Sequence, residues 1–161
     1  MKRHWHLLSC VMLFACKTPD AIQTSPIREE RFTSLSDREN QKIVKLVAGD
    51  QFKNVSNIAV INKKDIAELS QAIPKLISSN RKVFQLIRKR IGSYKYQCAS
   101  GEMFGQKFIF INAFDFSETF PWKQHCVNAM DGDEAFWRVQ YNVKTKHFSQ
   151  FNHNGPNVYS D

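Results

Sequence analysis

Apolar positions recur along this chain with two different periods, and the change of period divides it. Within residues 36–49, Ile43, Val44, Leu46 and Val47 fall at helical spacing. Ser36 followed by Glu39 has the form of a capping box, and Gly49 supplies a C-cap. Residues 58–61, Ile-Ala-Val-Ile, read as a short strand or an extended approach to the next helix. Asn62 predicts an N-cap for a helix over 63–72, with Asp65 well placed in its first turn. Pro74 predicts a break, because it lacks an amide proton and disfavours helix at Ile73. A third helix is predicted over 79–91, carrying Val83, Phe84, Leu86, Ile87 and Ile91 before Gly92.

Beyond Gly92 the period drops to two. Tyr94, Tyr96 and Cys98 alternate with Lys95 and Gln97, and residues 107–114 are apolar on both faces, as in a strand covered from both sides. A third strand is predicted over 125–130. Asp131-Gly132-Asp133 then signals a turn into a strand over 135–143, followed by a last strand over 146–152 that Asn154-Gly155-Pro156 stops. Helices first and strands afterwards predict an α+β domain: about three N-terminal helices packed on a C-terminal antiparallel sheet of four to five strands.

Composition changes the picture at the N-terminus. Lys2 and Arg3 precede a short apolar run from Leu7 to Ala15, which is the order of an export signal. The run falls short of the roughly 20 residues a permanent membrane helix needs. Leu13-Phe14-Ala15-Cys16 resembles the lipobox of bacterial lipoproteins. That resemblance implies cleavage after residue 15, lipidation of Cys16 and a membrane partner reached through the lipid. Each buried CH₂ of an acyl chain contributes about 0.8 kcal/mol. Lys17, rather than aspartate, follows the cysteine, a pattern similar to that of lipoproteins sent to the outer membrane. The organisation expected is a signal peptide over 1–15, a polar lipidated tether over 16–32 and one globular domain over 33–161.

The formal charge of +8 falls to +6 once Lys2 and Arg3 are removed. This suits a protein beside anionic lipid or cell-wall polymer, and export argues against a nucleic-acid partner. Cys98 and Cys126 remain in the exported domain. In an oxidising compartment such a pair is most simply one disulfide, worth roughly 3–4 kcal/mol. Two buried free thiols, or a reactive Cys126 beside His125, are the alternatives.

The residues offer little catalytic patterning. Asp131, Asp133 and Glu134 form the one tight acidic group, yet the calcium-loop pattern is missing and the turn itself accounts for them. His125, His147 and His153 lack the spacing of a metal site, and no cofactor or metal is expected. A serine elbow and glycine-rich phosphate motifs are also missing. The best candidate surface is aromatic: Phe116, Phe120 and Trp122, crowded into the loop 115–123, where exposed rings stack on sugars or anchor proteins. The expectation is a non-enzymatic envelope protein that binds another envelope protein or a glycan. The alternative is an envelope hydrolase using Asp131, Asp133 or Glu134 with a histidine. The stretch from Asp131 to Gly155 is similar to small bacterial proteins of unassigned role, a resemblance that implies no activity.

Overall fold

A computed structural model describes residues 25–79, 84–115, 120–129 and 132–154. The expected signal peptide, Cys16 and residues 17–24 of the tether lie outside the described residues. The elements, in chain order, are β1 (Phe32–Thr33), α1 (Asp37–Ala48), β2 (Ser56–Val60), α2 (Lys63–Ser79), α3 (Gln85–Arg90), β3 (Lys95–Met103), β4 (Gln106–Phe114), β5 (Phe136–Asn142) and β6 (Phe148–His153). The α+β class expected from the change of period is the class observed.

The sheet is a β3-β4-β5-β6 antiparallel meander with an addition at one side. Two short strands share the outer edge of β3. β1 runs parallel to it at Tyr96 and Gln97, and β2 antiparallel at residues 99–102. The sheet is therefore mixed and has six strands, because one segment before α1 and one between α1 and α2 also pair with it. β3 consequently lies inside the sheet, and its side chains alternate between two buried faces.

One face carries Tyr94, Tyr96, Cys98, Ile109, Ile111, Trp137, Val139 and Tyr141, covered by Leu69, Ile73 and Ile77 of α2 and Ile87 of α3. Trp137 packs edge-on against Tyr94 and Tyr96, at centroid distances of 5.8 and 5.9 Å. The other face, with Ala99, Met103 and Phe110, is covered by Ile43, Val44 and Val47 of α1. Burial on both faces is what the double-sided apolar pattern of 107–114 requires.

Four expectations are corrected. Pro74 does not end α2, which runs through it to Ser79. The apolar stripe Leu69–Ile73–Ile77 continues on both sides of the proline, and burying it outweighs one lost hydrogen bond. The carbonyl that a residue-74 amide would have met, that of Ser70, accepts the backbone N–H of Ile27 instead at 2.9 Å. The tether is shorter than expected, since Ile27 and Phe32 are buried in the core and β1 belongs to the sheet. Residues 125–129 form no strand. Cys98 and Cys126 are free thiols. Cys98 points into the α2 face and Cys126 packs on the α1 face, so the sheet stands between them.

The β3–β4 connection is a two-residue turn with both central residues at positive φ, Phe104 at 52° and Gly105 at 70°. Tight hairpins favour this geometry because its twist matches that of the strands, and they favour Asn or Gly in it. Gly105 is at home there. Phe104 is not: the left-handed region costs a residue with a Cβ about 1–2 kcal/mol. Phe104→Asn is expected to raise stability by about 0.5–1 kcal/mol, read as a higher denaturant midpoint at unchanged slope. A lower midpoint would show that the phenyl ring holds the turn.

Candidate aromatic binding site

The loop from Phe120 to Ala129 connects β4 to β5 across the α1 face, and side chains rather than strand partners satisfy its backbone. Gln97 and Asn112 stand directly opposite each other on β3 and β4, both buried. The Gln97 Nε2 donates to the carbonyls of Trp122 (2.6 Å) and His125 (2.7 Å), and its Oε1 accepts the Val127 N–H (2.8 Å). Asn112 Nδ2 donates to the Val127 carbonyl at 2.8 Å and to Gln97 Oε1 at 3.2 Å. A buried backbone group without a partner costs about 1–3 kcal/mol, so these amides are what lets an irregular segment lie on the sheet.

Glu39 adds the third clamp. The capping-box reading assigned it to Ser36, but Ser36 makes no side-chain cap bond. Asn40 takes the local role instead, its Oδ1 accepting from the Leu35 N–H and its Nδ2 donating to the Leu35 carbonyl. Glu39 is buried, accepts the Cys126 N–H at 2.8 Å and pairs with Lys42 at 2.5 Å. The Cys126 amide and the Lys42 ammonium hold its carboxyl below the usual range, against the opposing effect of burial. The Cys126 thiol is pushed up to about 11 by burial and then by the Glu39 charge. It is therefore protonated at neutral pH, the opposite of what a reactive thiolate beside His125 would require.

On this frame Trp122 is half-buried, edge-on to Phe114 at 5.9 Å. Lys95 and Lys123 approach its ring to 5.6 and 5.4 Å. Phe120 is 38% exposed. It lines a groove of about 400 Å³ with Cys126, Val127, Asn128, Ala129 and Phe136. A neighbouring groove of about 460 Å³ continues past Cys126 and Asn128 to Lys42, Lys45 and Leu46. Of the three aromatics expected to form a surface, the structure brings Phe120 and Trp122 onto one rigid loop. Phe116 lies outside the described residues. The lysines and the two buried amides carry no such signal in the sequence: Gln97 falls at a polar position of an alternating strand, where nothing separates a buried side chain from a solvated one, and Asn112 interrupts a run that is apolar on both faces.

The candidate hydrolytic set is spread over several elements. Asp133 is an exposed turn residue at φ 46°, Asp131 lies outside the described residues and the Glu134 side chain is not among those described. His125 is on the aromatic loop, His147 in the β5–β6 turn and His153 on β6. No hydrogen bond or ion pair joins Asp133 to a histidine among the described residues. Nor do three His, Cys, Asp or Glu side chains gather there as a metal site. His147 does share a groove of about 580 Å³ with Glu68, but Glu68 is engaged by Lys146 at 2.6 Å and by the Tyr141 hydroxyl.

No protein-family model, curated protein or solved structure matches this chain.

Glu39 gives the loop a defined pH response. Its carboxyl is depressed in the folded state, so its contribution is fully present above the ordinary carboxylate range, about 4.3, and is lost as pH falls through its lower folded value. The protection factor of the Cys126 amide, its exchange rate relative to that of the unfolded chain at the same pH, should therefore fall below about pH 4. Glu39→Gln should show a low protection factor at neutral pH and little further change in it on acidification. A loop whose exchange is the same in both proteins would remove Glu39 from this role.

Proposed function

We propose that this chain is a lipid-anchored protein of the bacterial envelope that acts as a non-enzymatic binding module, engaging an envelope glycan or protein through Phe120 and Trp122. The observation that carries the reading is the mounting of these two rings. A phenylalanine 38% exposed beside an apolar groove, and a tryptophan flanked by two ammonium groups, are held on a loop whose backbone is locked to the sheet. Pre-organised aromatics lose little entropy on binding, and an indole face with adjacent cations suits a sugar ring bearing acidic groups. Anchoring rests on Lys2, Arg3 and the apolar run ending in Leu13-Phe14-Ala15-Cys16. Among the described residues no helix is long and apolar enough to cross a membrane.

Phe120→Ala should reduce co-sedimentation with purified peptidoglycan, or capture of a protein from envelope extract, while the thermal transition stays within a degree or two. Trp122→Ala should lose binding as well and also cost about 1 kcal/mol of stability, because its ring packs on Phe114. Unchanged binding in both variants would move the partner surface elsewhere.

Mass spectrometry of the N-terminal peptide should show an acylated Cys16 with residues 1–15 removed. Cys16→Ser should shift the protein out of the membrane fraction. An intact Met1 N-terminus would overturn the anchor.

A further inference from the structure

The far end of the sheet from Trp122 carries a feature that binding at the aromatic loop does not use. Phe104, at the tip of the β3–β4 hairpin, is 78% exposed, the most exposed large apolar side chain among the described residues. It is also the residue forced into left-handed backbone at φ 52°. The position thus disfavours phenylalanine twice, once through the backbone and once through solvent. Polar asparagine would suit both, so neither folding nor solubility accounts for the ring.

Its surroundings are basic. Three other segments are brought to this end. The Lys107–Asp65 bridge, at 2.7 Å, brings the first turn of α2 with Lys63 and Lys64. The β5–β6 turn, with Lys144, arrives where the Val143 amide donates to the Lys107 carbonyl and Asn142 Nδ2 to Gln106 Oε1. The start of β2, preceded by Lys53, is set by Ser56 opposite Glu102. Asp65 is paired with Lys107 and Glu68 with Lys146, whereas Glu102 meets only the neutral Asn57 amide and keeps its charge. Asp50 sits away from the tip, in a groove with Arg138 and Gln150. Lys53, Lys63, Lys64 and Lys144 are exposed and have no carboxylate partner among the described residues. The result is one protruding phenyl ring on a two-residue turn, with four unpaired ammonium groups against the one unpaired carboxylate of Glu102 at the same end.

We infer that this end is a membrane-contact tip: Phe104 enters the headgroup region of an anionic bilayer while Lys53, Lys63, Lys64 and Lys144 meet the lipid phosphates. A single wedge-shaped aromatic with no concave surroundings fits a fluid interface better than a protein pocket, and each lysine near an anionic surface contributes about 1 kcal/mol. Apolar insertion and charge are both needed, since one phenylalanine alone holds weakly.

The test uses the full chain reconstituted on vesicles of phosphatidylcholine and phosphatidylglycerol, with bromine on the acyl chains as a fluorescence quencher. Emission is read as the difference from the unsubstituted protein. The indole introduced by Phe104→Trp should shift to the blue and lose emission, whereas that of Phe120→Trp, at the opposite end, should do neither. Charge reversal of Lys63, Lys64 and Lys144 to Glu in the Phe104→Trp chain, with an unchanged thermal transition, should restore the emission, as should vesicles of phosphatidylcholine alone. Solvent-like emission of Phe104→Trp on the mixed vesicles would overturn the inference. So would equal quenching of Phe120→Trp, quenching indifferent to the lysines, or a shift produced by soluble envelope protein in place of lipid. Emission is read on vesicle-bound chain recovered by flotation, so failure of the tip is read separately from failure of acylation at Cys16.

Discussion

The pairing of Gln97 with Asn112 is the constraint on which the site depends. Two amides face each other across adjacent inner strands, buried beneath the loop from Phe120 to Ala129. They are tolerated because the segment above them is irregular. Trp122, His125 and Val127 present carbonyls and an N–H that no strand meets, and Gln97 and Asn112 complete them. Each half of the arrangement needs the other. Without the loop, two amides would be buried unsatisfied; without the amides, the loop would lie on the sheet with its own groups unpaired. Glu39 extends the same logic from α1, so helix, sheet and loop share one polar network.

The two faces of the sheet accordingly do different work. The α2 face is an aromatic stack of Tyr94, Tyr96, Trp137 and Phe151, with Phe32 stacked on Tyr96 at 4.8 Å, and it supplies the larger apolar burial. Pro74 belongs to that face. Its missing amide frees the Ser70 carbonyl, which then fixes Ile27 and draws the N-terminal segment into the core. Cys98 is buried there, where burial pushes its thiol up, and on the opposite side from Cys126. An even cysteine count suggested a bridge; the alternation of side chains along β3 forbids it, since Gln97, not Cys98, faces the loop that carries Cys126.

What could be read in advance follows from how local each signal is. The α1 stripe and the alternation of β5 are short-range patterns, and they appear where expected. Residues 125–129 failed as a strand because their hydrogen bonds go to side chains remote in sequence, Glu39, Gln97 and Asn112, rather than to a neighbouring strand. β1 escaped notice because two residues carry no period, and its partner Tyr96 lies 64 positions on. Pro74 was misjudged through a local rule, since the carbonyl it frees is claimed by Ile27 from outside the helix. Phe120 and Trp122 were visible as an aromatic cluster. Their rigidity was not, because it resides in polar residues of strands that the sequence brings near only through the fold.

The placement of the two exposed aromatics gives the domain a direction. Trp122 lies at the Lys95–Phe114 end of the β3–β4 pair, and Phe104 at the turn that closes the other end. Strands of nine residues separate those ends by about 30 Å. β3 and β4 have no bulge along their shared register, so the separation is held by an unbroken ladder. A tip that rests on lipid would then hold the aromatic loop at the full length of the sheet from the bilayer, facing outward. Folding stability alone would select asparagine at the tip. A strained, exposed ring at one end and an aromatic loop clamped by buried amides at the other are what a sheet acting as a strut between two surfaces requires.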